Sequence, residues 1–384
     1  MSERSIGFVQ GLRGIAALAV VLWHASRYLG PYGTGAGGAL FAPGAAMGVD
    51  LFFLISGFIM FHTTRRSDGS TAAFADFAIK RVTRIWPLWI IALAVQIAHR
   101  WDPALLADPV KRIWLVHSLF LLPTAGAPAD VPPVYGSPFL GVGWTLNYEM
   151  YFYAFFGAAM LFGRWRWAAF SAWLIATLLV IPIVTGKLGV ANIGEILTPN
   201  NSYAYDIRYI GLITNPMILL FVAGVVLGWI YHSRFAIADT RVLAVLVALA
   251  VAGAVCQYAM HYRVTHGLIA WGLSLVPLLF ALLMFNKQRV MQWPRALTYL
   301  GDISFSLYLF HPVVQESFDP LARRFLPAMA TGYAAIAATT IIAILVAALS
   351  HRYLERGLCD ALRRRVHRAI LGGDAAQAAL PRTT

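Results

Sequence analysis

Two ionisable residues of the first apolar segment have the types and spacing to do chemistry. Ten residues separate Arg13 from His24, so on an α-helix they differ by about 20° in azimuth and lie about 16 Å apart along one face. A neutral imidazole can take a proton from a hydroxyl and return it to a leaving group. The alternative for His24 is a buried histidine bonded to a backbone carbonyl.

Three arginines could bind an anion together. Arg81 and Arg84 stand three residues apart, which places both guanidinium groups on one helix face. With Arg13 they predict a cationic mouth for a phosphorylated donor. The excess of positive charge that membrane proteins carry on the cytoplasmic side explains the same residues equally well.

Two acidic residues fall inside apolar segments, where an ionised group costs about 2.5–3.5 kcal/mol on insertion scales. Asp50 could orient a histidine, bind a sugar hydroxyl or cap the start of a helix. Ser56 precedes Gly57 in a pair that favours close helix packing. Glu149 stands among aromatic residues, which favours a saccharide or catalytic site over a buried ion pair.

His311 lies near the outer end of a late apolar segment, just before Pro312. It could be a second catalytic or acceptor-binding group, or a histidine satisfied within the core. The arginines therefore mark one side of the membrane, whereas the histidines and carboxylates fall in the middle or outer half. This arrangement indicates that the donor binds from the inner side of the membrane and the acceptor from the outer side.

The elements that must position these residues are transmembrane helices. Of 384 residues, 59% are hydrophobic and 12% charged, against roughly 45–50% and ~25% in a soluble domain, which excludes a soluble globular protein. The net charge of +13 lies in short blocks between apolar segments, so it indicates topology and no nucleic-acid partner. Ten spans of about the required length are predicted at 14–30, 47–62, 85–99, 143–162, 167–184, 213–231, 242–258, 266–285, 297–314 and 331–350.

A further apolar piece, 113–122, is short enough for an interfacial or re-entrant helix. If it does not cross, most of the 30 Lys and Arg residues fall in cytoplasmic loops. We therefore predict an all-α polytopic membrane protein with about ten transmembrane helices, one short re-entrant or interfacial helix and both termini in the cytoplasm. Pro31–Gly48 forms the first outer loop. Residues 1–355 form the membrane domain, and 356–384 form a basic cytoplasmic tail on the anionic leaflet.

The two cysteines, Cys256 and Cys359, form no CxxC and no cluster with histidines at metal-ligand spacing. We expect no disulfide, no structural zinc and no other metal.

Five ordered motifs resemble the acyltransferase family 3 of membrane proteins, over about residues 6–355. Within the family they are most similar to bacterial exopolysaccharide O-acetyltransferases of the succinoglycan type. The motifs are Arg13-x10-His24, Gly48-Val-Asp-Leu-Phe-Phe-Leu-Ile-Ser-Gly-Phe58, Arg81-x-x-Arg84, Gly143-Trp-Thr-Leu-Asn-Tyr-Glu149 and Ser304-Phe-Ser-Leu-Tyr-Leu-Phe-His311.

The resemblance implies transfer of an acetyl or other short acyl group from cytoplasmic acetyl-CoA, as a substrate and not a bound cofactor, to a hydroxyl of an extracytoplasmic or lipid-linked glycan such as exopolysaccharide. It implies a bacterial inner-membrane protein among lipids and polysaccharide-assembly proteins. The roles that follow are catalytic for His24 and Glu149, acyl-CoA-binding for Arg13, Arg81 and Arg84, and acceptor-binding or supporting for Asp50, Ser56, Trp144, Asn147 and His311.

Two other functions fit an array of buried polar groups. In a proton-coupled transporter or flippase, histidines and carboxylates form a substrate path. Against it, the sequence has no inverted repeat and no matching pair of broken spans. A non-catalytic scaffold would leave the intramembrane charges without a purpose.

Overall fold

The computed structural model describes residues 6–31, 34–123, 133–189 and 207–372, and their regular secondary structure is helical, with no strand. This confirms the all-α class. The first half forms α1 Gly7–Ala25, α2 Gly35–Thr64, α3 Thr71–His99, α4 Pro109–Phe120, α5 Trp144–Met160 and α6 Arg166–Ile175. The second half forms α7 Ile218–His232, α8 Thr240–Ala259, α9 Gly272–Gln288, α10 Arg295–Asp302, α11 Ser304–Phe325, α12 Gly332–Ser350 and α13 Asp360–Leu371.

Seven stretches of helix in the described chain are long and apolar enough to cross a membrane. They contain α1, α2, α3, α6, α7, α8 and α12. The other three predicted spans coincide with α5, α9 and the α10–α11 pair. Both α5 and α9 have 17 residues, fewer than the ~20 that a crossing needs. The chain is a multi-pass membrane protein, and the count of ten spans stays a prediction.

Contacts between loops identify one common end of the bundle, which we call the Arg13 end because α1 begins there. At this end His62 Nδ1 lies 2.9 Å from His232 Nε2. Lys287 Nζ donates to the Ser233 carbonyl at 2.7 Å. Helices α2, α7 and α9 therefore all finish at the Arg13 end.

The opposite end of the bundle, where α1 finishes, is called the His24 end. Here Arg27 pairs with Asp319 at 3.0 Å, and Arg100 pairs with Glu316 at 2.5 Å. These pairs join the regions after α1 and α3 to α11. Helices α1, α3 and α11 thus run opposite to α2, α7 and α9, as alternating crossings require.

Glycines let α2 pack against helices on both of its sides. A side chain at Gly48 would overlap the Ala16 carbonyl of α1, and one at Gly57 would overlap the Phe221 carbonyl of α7. Close backbone approach through small residues is the usual way in which membrane helices associate. Helix α2 is therefore a central element of the bundle.

Helix α4 begins beside the end of α3 and runs back along it. Near its start, Lys111 pairs with Asp102 at 2.6 Å, just after α3 ends. Its far end receives hydrogen bonds from Trp86 and Trp89 of α3 at 2.8 and 2.9 Å, about 15–20 Å along α3 from its end at the rise of an α-helix. Helix α4 thus extends into the bundle alongside α3, and its re-entrant or interfacial character stays a prediction.

Three predicted boundaries need correction. Helix α2 begins at Gly35, so most of the predicted loop Pro31–Gly48 is helical, because its small apolar residues continue the helix. The predicted span 297–314 is broken at Ile303 into α10 and α11. Residues 266–271 precede α9 as irregular backbone, although their composition is as apolar as that of a helix.

The C-terminal helix continues past the predicted end of the membrane domain. A π-helical segment, His351–Cys359, joins α12 to α13. Helix α13 packs on α3, where His367 Nε2 lies 3.0 Å from Asp76 Oδ1. The division between a membrane domain and a basic tail at residue 355 stays a prediction.

Candidate active site

A cavity of about 410 Å³ lies among α1, α2, α3, α5 and α11, toward the Arg13 end. Its volume is in the range of small-molecule sites, ~300–1,000 Å³. Most of its lining is apolar, including Phe52 and Ile85. Five of the sequence-predicted site residues also line it, namely Arg13, Ser56, Arg81, Arg84 and Glu149.

Arg13 reaches the cavity from α1 and is held by a hydrogen-bonded chain. Its Nη1 donates to Gln10 Oε1 at 2.9 Å, and Gln10 Nε2 donates to Asp302 Oδ1 at 3.2 Å. Asp302 is the last residue of α10. This helix approaches α1 so closely that a side chain at Gly14 would meet the Leu297 carbonyl. The short helix α10 thus fixes the direction of the Arg13 side chain.

Arg81 and Arg84 reach the same cavity from one face of α3. Arg81 Nη2 donates to Thr63 Oγ1 at 3.4 Å, and its guanidinium lies 5.5 Å from the ring centroids of Phe77 and Tyr153. Arg81 Nε is buried and makes no hydrogen bond to any described residue, whereas Arg84 is exposed. Both guanidinium groups therefore have donors left for an anionic ligand.

Glu149 lies beside these arginines and not beside the histidines. Its carboxylate accepts hydrogen bonds from Ser56 Oγ, at 3.3 Å, and from the Tyr153 hydroxyl. Within the Ser-Gly pair, Gly57 allows close packing on α7, while Ser56 faces the cavity and bonds to α5. The catalytic role predicted for Glu149 stays a prediction.

His24 and His311 form a pair outside the cavity lining, farther toward the His24 end. Their ring centroids are 4.9 Å apart. His24 Nδ1 lies 2.9 Å from the Val20 carbonyl, and His311 Nδ1 lies 3.1 Å from the Leu307 carbonyl. Because a carbonyl can only accept, both Nδ1 atoms carry the proton and both Nε2 atoms present a lone pair. His311 is fully buried.

Tyr308 separates the cavity from the histidine pair. It lines the cavity, and its ring centroid is 6.1 Å from that of His311. Its hydroxyl lies 2.8 Å from Thr145 Oγ1 and donates to the Val142 carbonyl at 2.9 Å. Neither Tyr308 nor Tyr153 is among the site residues that the sequence pattern predicts.

Asp50 lies in the middle of α2, fully buried, and both of its carboxylate oxygens are bound. His266 Nδ1 donates to Oδ1 and the Gly267 amide donates to Oδ2, both at 2.8 Å. Asp50 therefore orients a histidine, as one of its predicted roles requires, and does not cap α2, which begins at Gly35. A buried carboxylate signals that a partner must exist, but the sequence does not indicate His266.

Trp144 packs against His266, and Asn147 follows Trp144 one turn later in α5. The Trp144 ring is edge-on to His266 with centroids 5.4 Å apart. Asn147 is 4% exposed, and its Oδ1 atom makes no hydrogen bond to any described residue. We call Asp50, Trp144, Asn147 and His266 the Asp50 group. The predicted site residues thus fall into the cavity, the histidine pair and the Asp50 group.

Cys256 is exposed and Cys359 is buried, and both are free thiols. No group of three or more metal-ligating side chains occurs in the described ranges.

The chain is similar to known proteins along nearly its whole length. A family model described as an acyltransferase domain matches residues 6–348. The exopolysaccharide production protein ExoZ of Rhizobium meliloti (strain 1021) is 30% identical over 369 residues, which cover 94% of this chain and 100% of that protein. Protein 2 in picA locus of Rhizobium radiobacter is 33% identical over 99 residues, 25% of this chain and 46% of that protein. No solved structure matches.

Proposed function

This chain belongs to the acyltransferase family whose domain matches residues 6–348, and we propose that it moves an acetyl or other short acyl group from acyl-CoA to a hydroxyl of an exopolysaccharide or its lipid-linked precursor. The acceptor class is supported by the relative that is 30% identical, an exopolysaccharide production protein. Family membership favours an enzyme over a transporter or scaffold. The assignment of acyl-CoA as the donor rests on the convergence of three arginines on one cavity.

Arg13, Arg81 and Arg84 bind the phosphates of the donor in this proposal. Guanidinium groups form bidentate, charge-assisted hydrogen bonds to phosphate oxygens. The apolar cavity wall beyond them accommodates the donor's uncharged arm. Because Arg13 and His24 are about 16 Å apart along α1, that arm extends past Tyr308 to bring the thioester to the histidines.

His24 acts as the general base. Its Nε2 takes the proton of the acceptor hydroxyl while the oxygen attacks the thioester carbonyl carbon. The carbon–sulfur bond then breaks, the CoA sulfur takes the proton from His24, and the products are an ester and free CoA. Attack by the imidazole itself, through an acyl-histidine that the hydroxyl then cleaves, uses the same residues in two steps.

The Arg13 end faces the cytoplasm in this proposal, with ten spans in the inner membrane and both termini inside. The excess of Lys and Arg in the loops at that end supports this orientation. Single cysteines introduced by Arg289→Cys and Tyr262→Cys, in a chain lacking Cys256 and Cys359, test it. A membrane-impermeant maleimide should label intact cells at position 262 and should label position 289 only after permeabilisation.

Release of free CoA tests the transfer. Purified protein in lipid nanodiscs receives acetyl-CoA with or without exopolysaccharide repeat units freed of O-acyl groups by mild alkali, and a thiol reagent counts released CoA. We expect release that depends on the acceptor and equals the ester formed. If the protein binds or moves the saccharide but forms no ester and releases no CoA, the result would support a transporter instead.

A further inference from the structure

The Asp50 group lies at mid-depth in the bundle. Asp50 is fifteen residues after the start of α2, which places it about 22 Å along the helix from that end. A fully buried, ionised carboxylate at this depth must be stabilised by specific partners, because each ionised group inside a bilayer is costly. Its two hydrogen bonds from the His266 ring and the Gly267 amide fix one orientation of the imidazole.

The starts of three helices lie around His266. Gly143 at the start of α5 meets the Trp89 ring, ten residues, or about 15 Å, before α3 ends. Met217, before α7, and Gly267, before α9, line one crevice with His266. Irregular backbone at such a depth is tolerated where it is buried in protein or lines a polar cavity. His266 lies at this crevice with its side chain 20% exposed, so part of its ring remains accessible among the starts of the three helices.

The Asp50 group is connected to the proposed reaction centre through a short series of contacts. Trp144 is followed in α5 by Thr145, whose hydroxyl lies 2.8 Å from that of Tyr308. Tyr308 contacts His311, and His311 contacts His24. A ligand held at His266 is thus on the opposite side of Tyr308 from the arginines.

The free groups of the Asp50 group match a neutral saccharide. Because His266 Nδ1 donates to Asp50, Nε2 presents a lone pair that can accept from a hydroxyl. The half-buried Trp144 ring offers an apolar face, on which the CH face of a sugar can pack. Asn147 stands one turn after Trp144 on the same face of α5, and its buried Oδ1 atom makes no hydrogen bond within the described chain.

We propose that His266, oriented by Asp50, is a positioning residue of the acceptor site, and that it binds a saccharide hydroxyl through Nε2 while Trp144 supports the ring. The proposal rests on the proposed function. His266 takes part in no proton transfer, since His24 keeps that role. It fixes the acceptor so that a neighbouring hydroxyl can reach the thioester.

Equilibrium binding and kinetics together test this role. The probe is the alkali-treated exopolysaccharide repeat unit, and binding to nanodisc protein is measured by calorimetry without acetyl-CoA. His266→Gln keeps a donor for Asp50 but loses the ring. Losing one hydrogen bond and its geometry should weaken saccharide binding and raise the acceptor KM about 3- to 10-fold, with the acetyl-CoA KM unchanged.

His261→Gln is the matched control. It lies in the same loop, but its Nε2 contacts the Ala39 carbonyl at 2.8 Å and not Asp50. Unchanged saccharide affinity in His266→Gln, or an equal change in His261→Gln, would overturn the proposal. If His266→Gln does not fold, Trp144→Leu decides by the same acceptor KM. Saccharide binding that depends on His266 without any CoA release would overturn the proposed function but leave this site standing.

Discussion

His24 and His311 face each other from α1 and α11 with ring centroids 4.9 Å apart, and each binds the carbonyl four residues before it through Nδ1. Their Nε2 atoms are consequently both proton acceptors. Two cationic imidazoles at this separation would repel each other, so the pair is suited to hold one proton at a time. The two residues should therefore act as one unit.

Removing both histidines should cost no more activity than removing His24 alone. His24→Ala should lower kcat by about 10²–10⁴, the usual effect of losing an acid–base group, and His311→Ala should lower it by at least tenfold. The double variant should be no slower than His24→Ala, because members of one catalytic unit are not additive. Acceptor-dependent CoA release measures all three. If the losses of kcat in the two single variants multiply in the double variant, the histidines work independently.

Removing an arginine of the cavity should weaken donor binding. Arg81→Gln and Arg84→Gln each delete a charge-assisted contact worth about 1.5–3 kcal/mol, so the acetyl-CoA KM should rise about 10- to 100-fold while the acceptor KM stays. Arg289→Gln is the control, since Arg289 is an exposed cation at the same end that does not line the cavity. An equal shift in the control would mean that general surface charge, and not the cavity, attracts the donor.

Glu149→Gln separates the charge of this side chain from its hydrogen bonds. The amide can still accept from Ser56 and Tyr153, which bind the carboxylate in the wild type. If the charge acts in the chemistry, kcat should fall about tenfold or more. The acetyl-CoA KM should not rise, because removing a carboxylate favours anionic phosphates at the arginines. A higher KM with unchanged kcat would make Glu149 a donor-binding residue only.

Gly57→Ala should destabilise the bundle. A Cβ atom at this position overlaps the Phe221 carbonyl of α7, and forced repacking of a filled core costs about 1–3 kcal/mol. Thermal unfolding in detergent should occur at a lower temperature than in the wild type. Gly253→Ala on α8 adds a Cβ into open space and should leave the unfolding temperature equal or higher. Equal stability of the two variants would argue against the α2–α7 packing.

The cationic cavity could be predicted from the sequence because its spacing is local. Arg81 and Arg84 share a face by helix periodicity, and Arg13 belongs to an unbroken helix. The membrane class followed in the same way from composition. Both inferences depend on patterns among sequence neighbours, whereas the approach of Arg13 to Arg81 and Arg84 depends on the packing of α1 near α3.

Asp50, Trp144 and Asn147 were among the predicted residues, but the pairing of Asp50 with His266 could not be predicted because the two are distant in sequence. Asp50 and His266 are 216 residues apart, and only the packed bundle brings them together. The break at Ile303 and the late start of α9 at Gly272 could not be predicted either. Apolar residues continue through both places, so the sequence pattern shows no interruption. Tertiary packing, and not local propensity, decides where these helices begin.

The central claim is that this protein transfers an acetyl group from acetyl-CoA to a glycan through His24. Membranes containing the wild type or His24→Ala receive acetyl-CoA labelled in the acetyl group, and label is counted in the polysaccharide and lipid-linked fractions at matched protein levels. The account predicts label in a glycan fraction with the wild type and at least 100-fold less with His24→Ala. Equal labelling by both proteins would contradict it.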